Sequence, residues 1–300
     1  MRYEVVSRDT RDTLGEGPVW IPASKELLWV DILRPAVHRL SLADGSITTR
    51  EVEETIGWVL PVAGRPQVMA GFRSGFWMLD LDTGRRVEVG APERDRPDNR
   101  LNDAKVDPFG RIWAGSKDDT DQKSSGALYR LDPDLGWFRM DDDYGVANGP
   151  TFSPDGGILY HTDSAARTIY AFDLESDGSI GNKRPWVIFP EAWGYPDGMT
   201  TDAEGHVWVA HWDGGRVSRF APSGELSGTI ELPASNITSC AFAGDGLDRL
   251  FATSSTLGHE DEPLAGALFE VDPGVTGIAP TLFAGPLPDR SAKSAPWRAL

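Results

Sequence analysis

The 300-residue chain contains a single cysteine, Cys240, and therefore cannot form an internal disulfide. This fits a reducing compartment, and the apolar residues around Cys240 suggest a small buried side chain rather than a nucleophile. No stretch approaches the roughly 20 apolar residues of a transmembrane helix. The first six residues also lack the apolar core of a signal peptide. We therefore expect a cytoplasmic protein that has no membrane partner.

Positive charge is scarce as well. The chain has 29 lysines and arginines against 46 aspartates and glutamates, which gives a formal net charge of -17 and a pI near 4.7. Such a protein is a poor partner for nucleic acid or for an anionic membrane surface. An acidic balance suits a cation site, although most of these carboxylates must be solvated surface groups.

Several well-known catalytic patterns are missing. There is no G-x-S-x-G sequence, which disfavours a serine esterase of the α/β-hydrolase type. A phosphate-binding P-loop and a G-x-G-x-x-G sequence after a strand are absent too. The five histidines show neither HxH nor HExxH spacing, so they do not predict a histidine-based metal site.

Six segments of the chain share one pattern of two apolar strands, a polar turn and a glycine-containing turn, and no window shows sustained helical periodicity. The repeat interval of roughly 40 to 50 residues is the size of a four-stranded propeller blade. The content of 33 glycines and 22 prolines fits many tight turns. We therefore predict an all-β fold, a six-bladed β-propeller formed as one domain by residues 1–300. Residues 3–6 have no blade of their own and are expected to join the last blade near residues 280–283. The strand pairs of the repeat lie near residues 28–40, 68–80, 112–132, 159–173, 207–220 and 250–271.

Three oxygen-bearing side chains occupy equivalent places ahead of different strand pairs. Glu16, Asn148 and Asp197 each stand beside glycine or proline, in what the pattern predicts to be turns at the mouth of the central channel. Alone, each has an ordinary explanation as a surface carboxylate or a turn residue. Their recurrence at the same blade position predicts a central metal site, because carboxylate and amide oxygens suit a hard divalent ion.

Five sequence motifs resemble one known family, the SMP-30/gluconolactonase/regucalcin-like family, over residues 14–269. Within it, bacterial sugar lactonases of the xylonolactonase kind look most similar. The motifs are LGEGPVW at 14–20, RLNDAKVDPFGR at 100–111, NGP at 148–150, PDGM at 196–199 and GGRV at 214–217.

The resemblance implies a propeller with one divalent cation, which could be calcium, zinc, magnesium, manganese or ferrous iron, bound by the three oxygen donors above. It implies substrate contacts from Arg100 and Asn102, with Asp103 supporting the metal ligands from behind. The family's lid corresponds to residues 117–125 here. Lys117 stands where the family usually has methionine. Asp118 or Asp119 is the candidate for the lid's acidic contact, and Asp119 is the one expected to bind substrate.

The resulting hypothesis is metal-dependent hydrolysis of a sugar lactone to the aldonic acid, with Asp197 as general base and a small-molecule lactone as the partner. An L-arabinonolactonase or another ester hydrolase of the same fold is one alternative. A non-catalytic, calcium-binding regulatory propeller is the other. The expected assembly state is a monomer or a weak homo-oligomer.

Overall fold

The computed structural model describes residues 3–286, and this part of the chain is almost entirely β-structure. It contains 24 strands in six four-stranded antiparallel sheets, which confirms the predicted six-bladed β-propeller. The short 3₁₀ helix Glu191–Trp193 precedes the fifth blade. None of the helical structure in residues 3–286 has the length and apolar character needed to cross a membrane.

The first three blades are each formed by consecutive strands that run outward from the centre. Blade one contains β2 (Gly15–Ile21), β3 (Glu26–Asp31), β4 (Ala36–Ser41) and β5 (Ile47–Glu51); blade two contains β6 (Ile56–Pro61), β7 (Val68–Phe72), β8 (Gly75–Leu79) and β9 (Arg86–Gly90); blade three contains β10 (Asn99–Val106), β11 (Ile112–Asp118), β12 (Gly126–Leu131) and β13 (Trp137–Tyr144).

The next two blades repeat this order, whereas the sixth takes its outermost strand from the start of the chain. Blade four contains β14 (Ala147–Phe152), β15 (Ile158–Asp163), β16 (Thr168–Leu174) and β17 (Ile180–Ile188); blade five contains β18 (Tyr195–Thr201), β19 (Val207–Trp212), β20 (Arg216–Phe220) and β21 (Leu226–Glu231); blade six contains β22 (Ile237–Ala243), β23 (Arg249–Ser254), β24 (Phe269–Val271) and β1 (Tyr3–Val5).

The first strands of the blades form a closed circle around the axis. Each of β2, β6, β10, β14, β18 and β22 contacts the first strand of the next blade, and β22 contacts β2. These strands are buried along nearly their whole length, whereas the fourth strand of most blades is largely exposed on one face. Stacking the blades in a ring buries both faces of sheets that could not be stable alone.

The chain's first strand closes the ring within the last blade, as predicted, but it pairs with a different segment of that blade. Tyr3 is paired with Val271 and Val5 with Phe269, so β1 joins the last blade through β24. The expectation that it pairs with residues 280–283 was wrong. The reason is that β24 already offers a free strand edge in the sixth blade, while the later residues leave that blade.

Residues 272–286, here called the C-terminal strap, cross the end of the propeller opposite to the starts of the first strands. Gly277 forms a β-bridge with Asp202 in blade five, and Phe283 forms a parallel bridge with Val62 in blade two. The Phe283 side chain is fully buried in the core of the first three blades. Between the strap and the ends of the first strands there remains a small cavity of about 120 Å³.

Buried aspartates fix the turn between the first and second strands in two blades. Asp107 accepts hydrogen bonds from the indole Nε1 of Trp113 (2.9 Å) and from the guanidinium Nε of Arg111 (2.6 Å). Asp202 makes the same indole contact with Trp208 at 2.8 Å. A buried tryptophan N–H needs such a partner, and these carboxylates therefore lock each turn onto the blade core. We call these two turns the blade corners.

Candidate active site

The three predicted oxygen donors lie within the first strands of their blades, not in the turns that the sequence analysis expected. Glu16 is in β2, Asn148 in β14 and Asp197 in β18. In each of these strands the pairing with the second strand shifts at this point, so that two residues oppose one. A β-bulge of this kind re-aims a side chain, here toward the axis of the ring.

The glycines and prolines that suggested turns are the residues that make these bulges. Gly17 and Gly149 have φ values of 56° and 38°, a region that only glycine adopts readily. Pro18 and Pro150 lack an N–H group and are tolerated because a bulge leaves one residue outside the ladder of hydrogen bonds. The local sequence thus interrupts the pairing with the neighbouring strand next to each oxygen donor, where the donor's side chain faces the channel.

A cavity of about 560 Å³ opens at this end of the channel. The structure brings five of the predicted site residues together on its wall: Glu16, Arg100, Asn102, Asn148 and Asp197. They come from blades one, three, four and five, so far-apart parts of the chain converge as predicted. This volume lies within the range of about 300–1,000 Å³ that small-molecule sites have.

Burial and mutual repulsion disfavour the ionised form of the two buried carboxylates on the cavity wall, Glu16 and Asp197. Burial raises the pKa of Asp197 well above its ordinary value, and the nearby charge of Asp103 raises it further, against the Gly198 N–H, Lys117 and Arg100, which lower it. Burial likewise raises the pKa of Glu16, with added repulsion from Asp197 and Asp103. Within residues 3–286, Asp197 Oδ1 is a buried oxygen without a hydrogen-bond partner. Such an atom is costly unless something binds it.

The Asn148 side chain is fixed by hydrogen bonds at both of its polar atoms. Its Nδ2 donates to Ser164 Oγ at 3.1 Å, and its Oδ1 accepts from Asn102 Nδ2 at 2.9 Å. Ser164 in turn donates to the Pro196 carbonyl oxygen at 2.6 Å, beside Asp197. An amide oxygen has two lone pairs, so Asn148 Oδ1 keeps one available for a further partner.

Arg100 is positioned by two neighbours. Its Nη1 donates to Asn102 Oδ1 at 2.7 Å and its Nε donates to Asp119 Oδ1 at 2.7 Å. Asp119 also accepts from Arg73 and does not line the cavity. The structure therefore places Asp119 behind Arg100, where its ion pair orients the arginine. Its contact with the substrate stays a prediction.

Asp103 lies beneath the cavity wall. Its Oδ2 accepts the Gly149 N–H at 2.9 Å and its Oδ1 accepts the Ala104 N–H at 2.7 Å. Burial raises the pKa of Asp103, while the ammonium of Lys105 lowers it. By holding the Gly149 backbone, Asp103 ties the bulge of blade three to the bulge that carries Asn148.

The donor set fits a divalent cation only if the amide takes part. In residues 3–286 there is no group of three histidine, cysteine, aspartate or glutamate side chains that could hold a metal. A cation would therefore be held by the carboxylates of Glu16 and Asp197 together with Asn148 Oδ1. The unpartnered oxygen of Asp197 and the mutual repulsion of the two carboxylates are features that a bound cation would relieve.

Several wall residues were not found from the sequence. Ser164, Tyr195 and Trp212 line the cavity although no motif distinguished them. Ser164 lies just after β15, and only the chain path of blade four brings it beside Asn148. A signal for such residues cannot be read from one sequence, because their importance depends on contacts between blades.

The fold and this cavity define a class of protein: a six-bladed propeller with a polar, oxygen-lined pocket at one end of its channel. Residues 14–256 match the model of the SMP-30/gluconolactonase/LRE-like region. The chain belongs to this family.

Two curated relatives and one solved structure show how far the similarity extends. The chain is 35% identical over 278 residues to 6-deoxy-6-sulfogluconolactonase of Pseudomonas putida, covering 91% of this chain and 95% of that protein. It is 36% identical over 290 residues to a pentonolactonase of Haloferax volcanii, covering 90% and 94%. A solved structure of regucalcin from Agrobacterium tumefaciens, described as a calcium-binding protein, superposes with a TM-score of 0.87 at 27% identity and covers 93% of this chain and 96% of that one.

Proposed function

We propose that this protein hydrolyses a sugar lactone to the open-chain aldonic acid in a metal-dependent reaction. The observation that carries the proposal is the pair of buried, repelling carboxylates beside an oriented amide oxygen, in a cavity of substrate size. Both curated relatives described above are named as lactonases of sugar acids. Their names span a pentonolactone and a sulfonated gluconolactone, so the proposal concerns aldonolactones as a class.

Glu16, Asn148 and Asp197 would hold the cation. When bound, a divalent cation supplies a Lewis acid that polarises a carbonyl oxygen and offsets the negative charge developing on it during attack. The protein's contribution to this arrangement is rigid placement. The amide of Asn148 is fixed from both sides, and the bulges keep all three donors on strands rather than on mobile loops.

Asp197 is the proposed general base. Its carboxylate lines the cavity and has two oxygens, so one can bind the cation while the other accepts a proton from an attacking water molecule. A positioned base of this kind typically contributes about 10²- to 10⁴-fold to a rate. The proton accepted from water can then be passed to the leaving ring oxygen, which becomes a hydroxyl group of the product acid.

Arg100 and Asn102 are proposed to hold the sugar. Arginine has five N–H donors, and the contacts to Asn102 and Asp119 leave donors free to bind hydroxyl or ester oxygens. Asn102 is itself oriented by the Ala147 carbonyl oxygen, to which its Nδ2 donates at 3.0 Å. Fixed donors lower the entropy cost of placing the lactone carbonyl beside the base.

The test is acid release measured by pH-stat, with a panel of aldonolactones crossed with a panel of divalent metals on chelator-stripped protein. We expect hydrolysis of at least one aldonolactone that depends on added metal and is lost in Asp197→Asn. The rival is a non-catalytic calcium-binding protein, which the description of the superposed regucalcin favours. Tight calcium binding without acid release from any lactone would reject hydrolysis and support that rival.

A further inference from the structure

Lys117 is a cationic side chain on the cavity wall that the proposed reaction does not use. It lies on β11 directly opposite Arg100 on β10, and its backbone also bridges to Val146 at the start of the next blade. Its side chain is 11% exposed and lines the cavity. The backbone is thus held from both sides, and the ammonium is fixed at the rim of the pocket rather than free in solvent.

The ammonium has a weak partner. Its Nζ is 2.6 Å from Asp121 Oδ1, but the Asp121 side chain is 61% exposed. Asp121 also has a φ of 56°, an uncommon value for a residue other than glycine. An ion pair with one solvated member contributes little and is easily exchanged. Asp121 can therefore give way to another anion without a large loss.

The charge balance of the cavity favours such an exchange. A divalent cation would neutralise the two carboxylates of Glu16 and Asp197, and Arg100 is already paired with Asp119 at 2.7 Å. Lys117 and Lys123 are then the wall cations that are paired with exposed carboxylates, Asp121 and Asp98. Of the two, Lys117 is the one held against the wall, with 11% of its side chain exposed against 61% for Lys123. A neutral sugar does not require an ammonium at this position, because uncharged donors and acceptors can also bind hydroxyl groups.

We propose that Lys117 binds an anionic substituent on the lactone and so sets the substrate class. The inference rests on the proposed lactonase function. The substituent is a sulfonate, phosphate or carboxylate, each of which accepts a charge-assisted hydrogen bond from an ammonium. Asp121 occupies the ammonium until the substrate anion replaces it. Lys117 is thus a specificity-determining residue rather than a member of the catalytic group.

The experiment compares metal-loaded wild-type protein with Lys117→Met, which keeps the length of the side chain and removes its charge. The substrates are glucono-lactone and its derivatives that carry a sulfonate, a phosphate or a carboxylate at carbon six. Lys25→Met is the matched control. Lys25 lies in the hairpin after β2, at the end of that strand remote from Glu16, and its ammonium is paired with Asp245. This control removes the same charge at the other face of the ring.

We expect wild type to prefer at least one anionic lactone over the neutral one. Lys117→Met should lower kcat/KM for that lactone by about 10- to 100-fold, mainly through KM, and change the neutral lactone by less than about threefold. Lys25→Met should change neither by more than about twofold. The derivative that loses most identifies the anion. Equal losses on neutral and anionic lactones, or a wild-type preference for the neutral one, would overturn the proposal.

A binding measurement separates failure of this inference from failure of the proposed function. Calorimetric titration with 6-sulfogluconate and with gluconate requires no turnover. Stronger binding of the sulfonated acid by wild type than by Lys117→Met supports the anion site even if no lactone is hydrolysed. Hydrolysis of neutral lactones together with equal binding of both acids rejects the anion site and leaves the lactonase function standing. Asp121→Asn should tighten binding of the sulfonated acid; weaker binding would contradict the exchange.

Discussion

The blade corners and the mouth of the channel both bury carboxylates, but they treat them in opposite ways. At the corner of blade three, Asp107 is fully buried and accepts hydrogen bonds from two backbone N–H groups, from the guanidinium of Arg111 and from the indole of Trp113. At the channel mouth, Asp197 is nearly as buried but keeps one oxygen unpartnered and faces other carboxylates.

This difference shows that burial of a charge does not by itself indicate function. A buried carboxylate surrounded by donors stabilises the fold, because its hydrogen bonds replace those it made with water. A buried carboxylate that lacks hydrogen-bond donors destabilises the ligand-free protein. It becomes favourable only when a ligand binds its free oxygen. The buried carboxylates of the channel mouth therefore destabilise the cation-free protein, and a bound cation would offset this destabilisation. The buried carboxylates of the blade corners already have their hydrogen-bond donors.

The largest expected effect separates the two regions by activity. Asp197→Asn removes the proposed general base and one carboxylate ligand of the proposed cation. We expect kcat/KM for the lactone to fall by about 10³-fold or more. The free energy of unfolding without metal should stay the same or rise, since a neutral amide relieves the repulsion with Glu16 and Asp103. Steady-state kinetics and urea unfolding check the two parts. A variant of near-normal turnover at saturating metal rules out the assigned role.

The reverse pattern is expected at a corner. Asp107→Asn leaves the buried guanidinium of Arg111 without its carboxylate, and breaking a buried pair in this way costs about 3–5 kcal/mol of unfolding free energy. The fraction of protein that remains folded should keep its lactonase activity per molecule. Chemical denaturation followed by tryptophan fluorescence measures the loss. An unchanged unfolding midpoint for Asp107→Asn would contradict the claim that the carboxylates of the blade corners stabilise the fold.

Much of this contrast is predictable from the sequence, and part is not. The six repeats predicted the ring, and the recurrence of Glu16, Asn148 and Asp197 at one blade position predicted that these side chains meet at one cavity. The nature of the local backbone was misread, because a glycine or proline beside a donor looks the same in a turn and in a β-bulge. Only the register of the strand pairs distinguishes these two structures.

Contacts between blades were the other gap in the sequence prediction. The pairing of Asp119 with Arg73 of blade two and with Arg100 was not predicted. No local sequence pattern predicts a partner that is 46 residues away in the chain. The last blade was correctly predicted to receive β1, but its partner strand was not, since the free edge of β24 and the path of the C-terminal strap are properties of the assembled ring.

A smaller effect is expected when the donors of the channel mouth are changed one at a time. Glu16→Gln and Asn148→Ala should each weaken binding of a divalent cation by about 10- to 100-fold, in line with the loss of a ligand or of a group that orients one. Isothermal titration calorimetry with calcium on chelator-stripped protein gives the affinities. The control is Glu93→Gln, a buried carboxylate in the connection between blades two and three. Its hydrogen bonds with Ser116 and Tyr129 lie outside the cavity, so unchanged calcium affinity is expected for it.

The pH dependence should also distinguish the two regions. Burial raises the pKa of Glu16 and Asp197 in the folded protein. The free energy of unfolding therefore falls as the pH rises from the ordinary carboxyl pKa of about 4 through the raised pKa values, because both groups lose their protons. Bound calcium offsets the charge, so it should raise the Tm by several degrees more near pH 7 than near pH 5. Thermal unfolding with and without calcium at both pH values tests this. A calcium effect that is independent of pH would contradict the proposed ligand set.

The smallest effect is expected for the residue that holds Asp119. Arg73→Met should raise KM by about two- to fivefold and leave kcat unchanged, because Arg100 keeps Asp119 but loses part of its orientation. Cation affinity should not change, since Arg73 does not line the cavity. A fall in kcat without a change in KM would place this pair closer to the chemistry than the structure indicates.

The most direct test of the account is a crystal structure of the protein soaked in calcium, with the ion located by its anomalous scattering. We expect one strong peak in the channel mouth, with oxygen atoms of Glu16, Asn148 and Asp197 all within about 2.3–2.6 Å of it. A peak that is bound elsewhere, or a channel mouth in which these three side chains do not share an ion, would contradict the account.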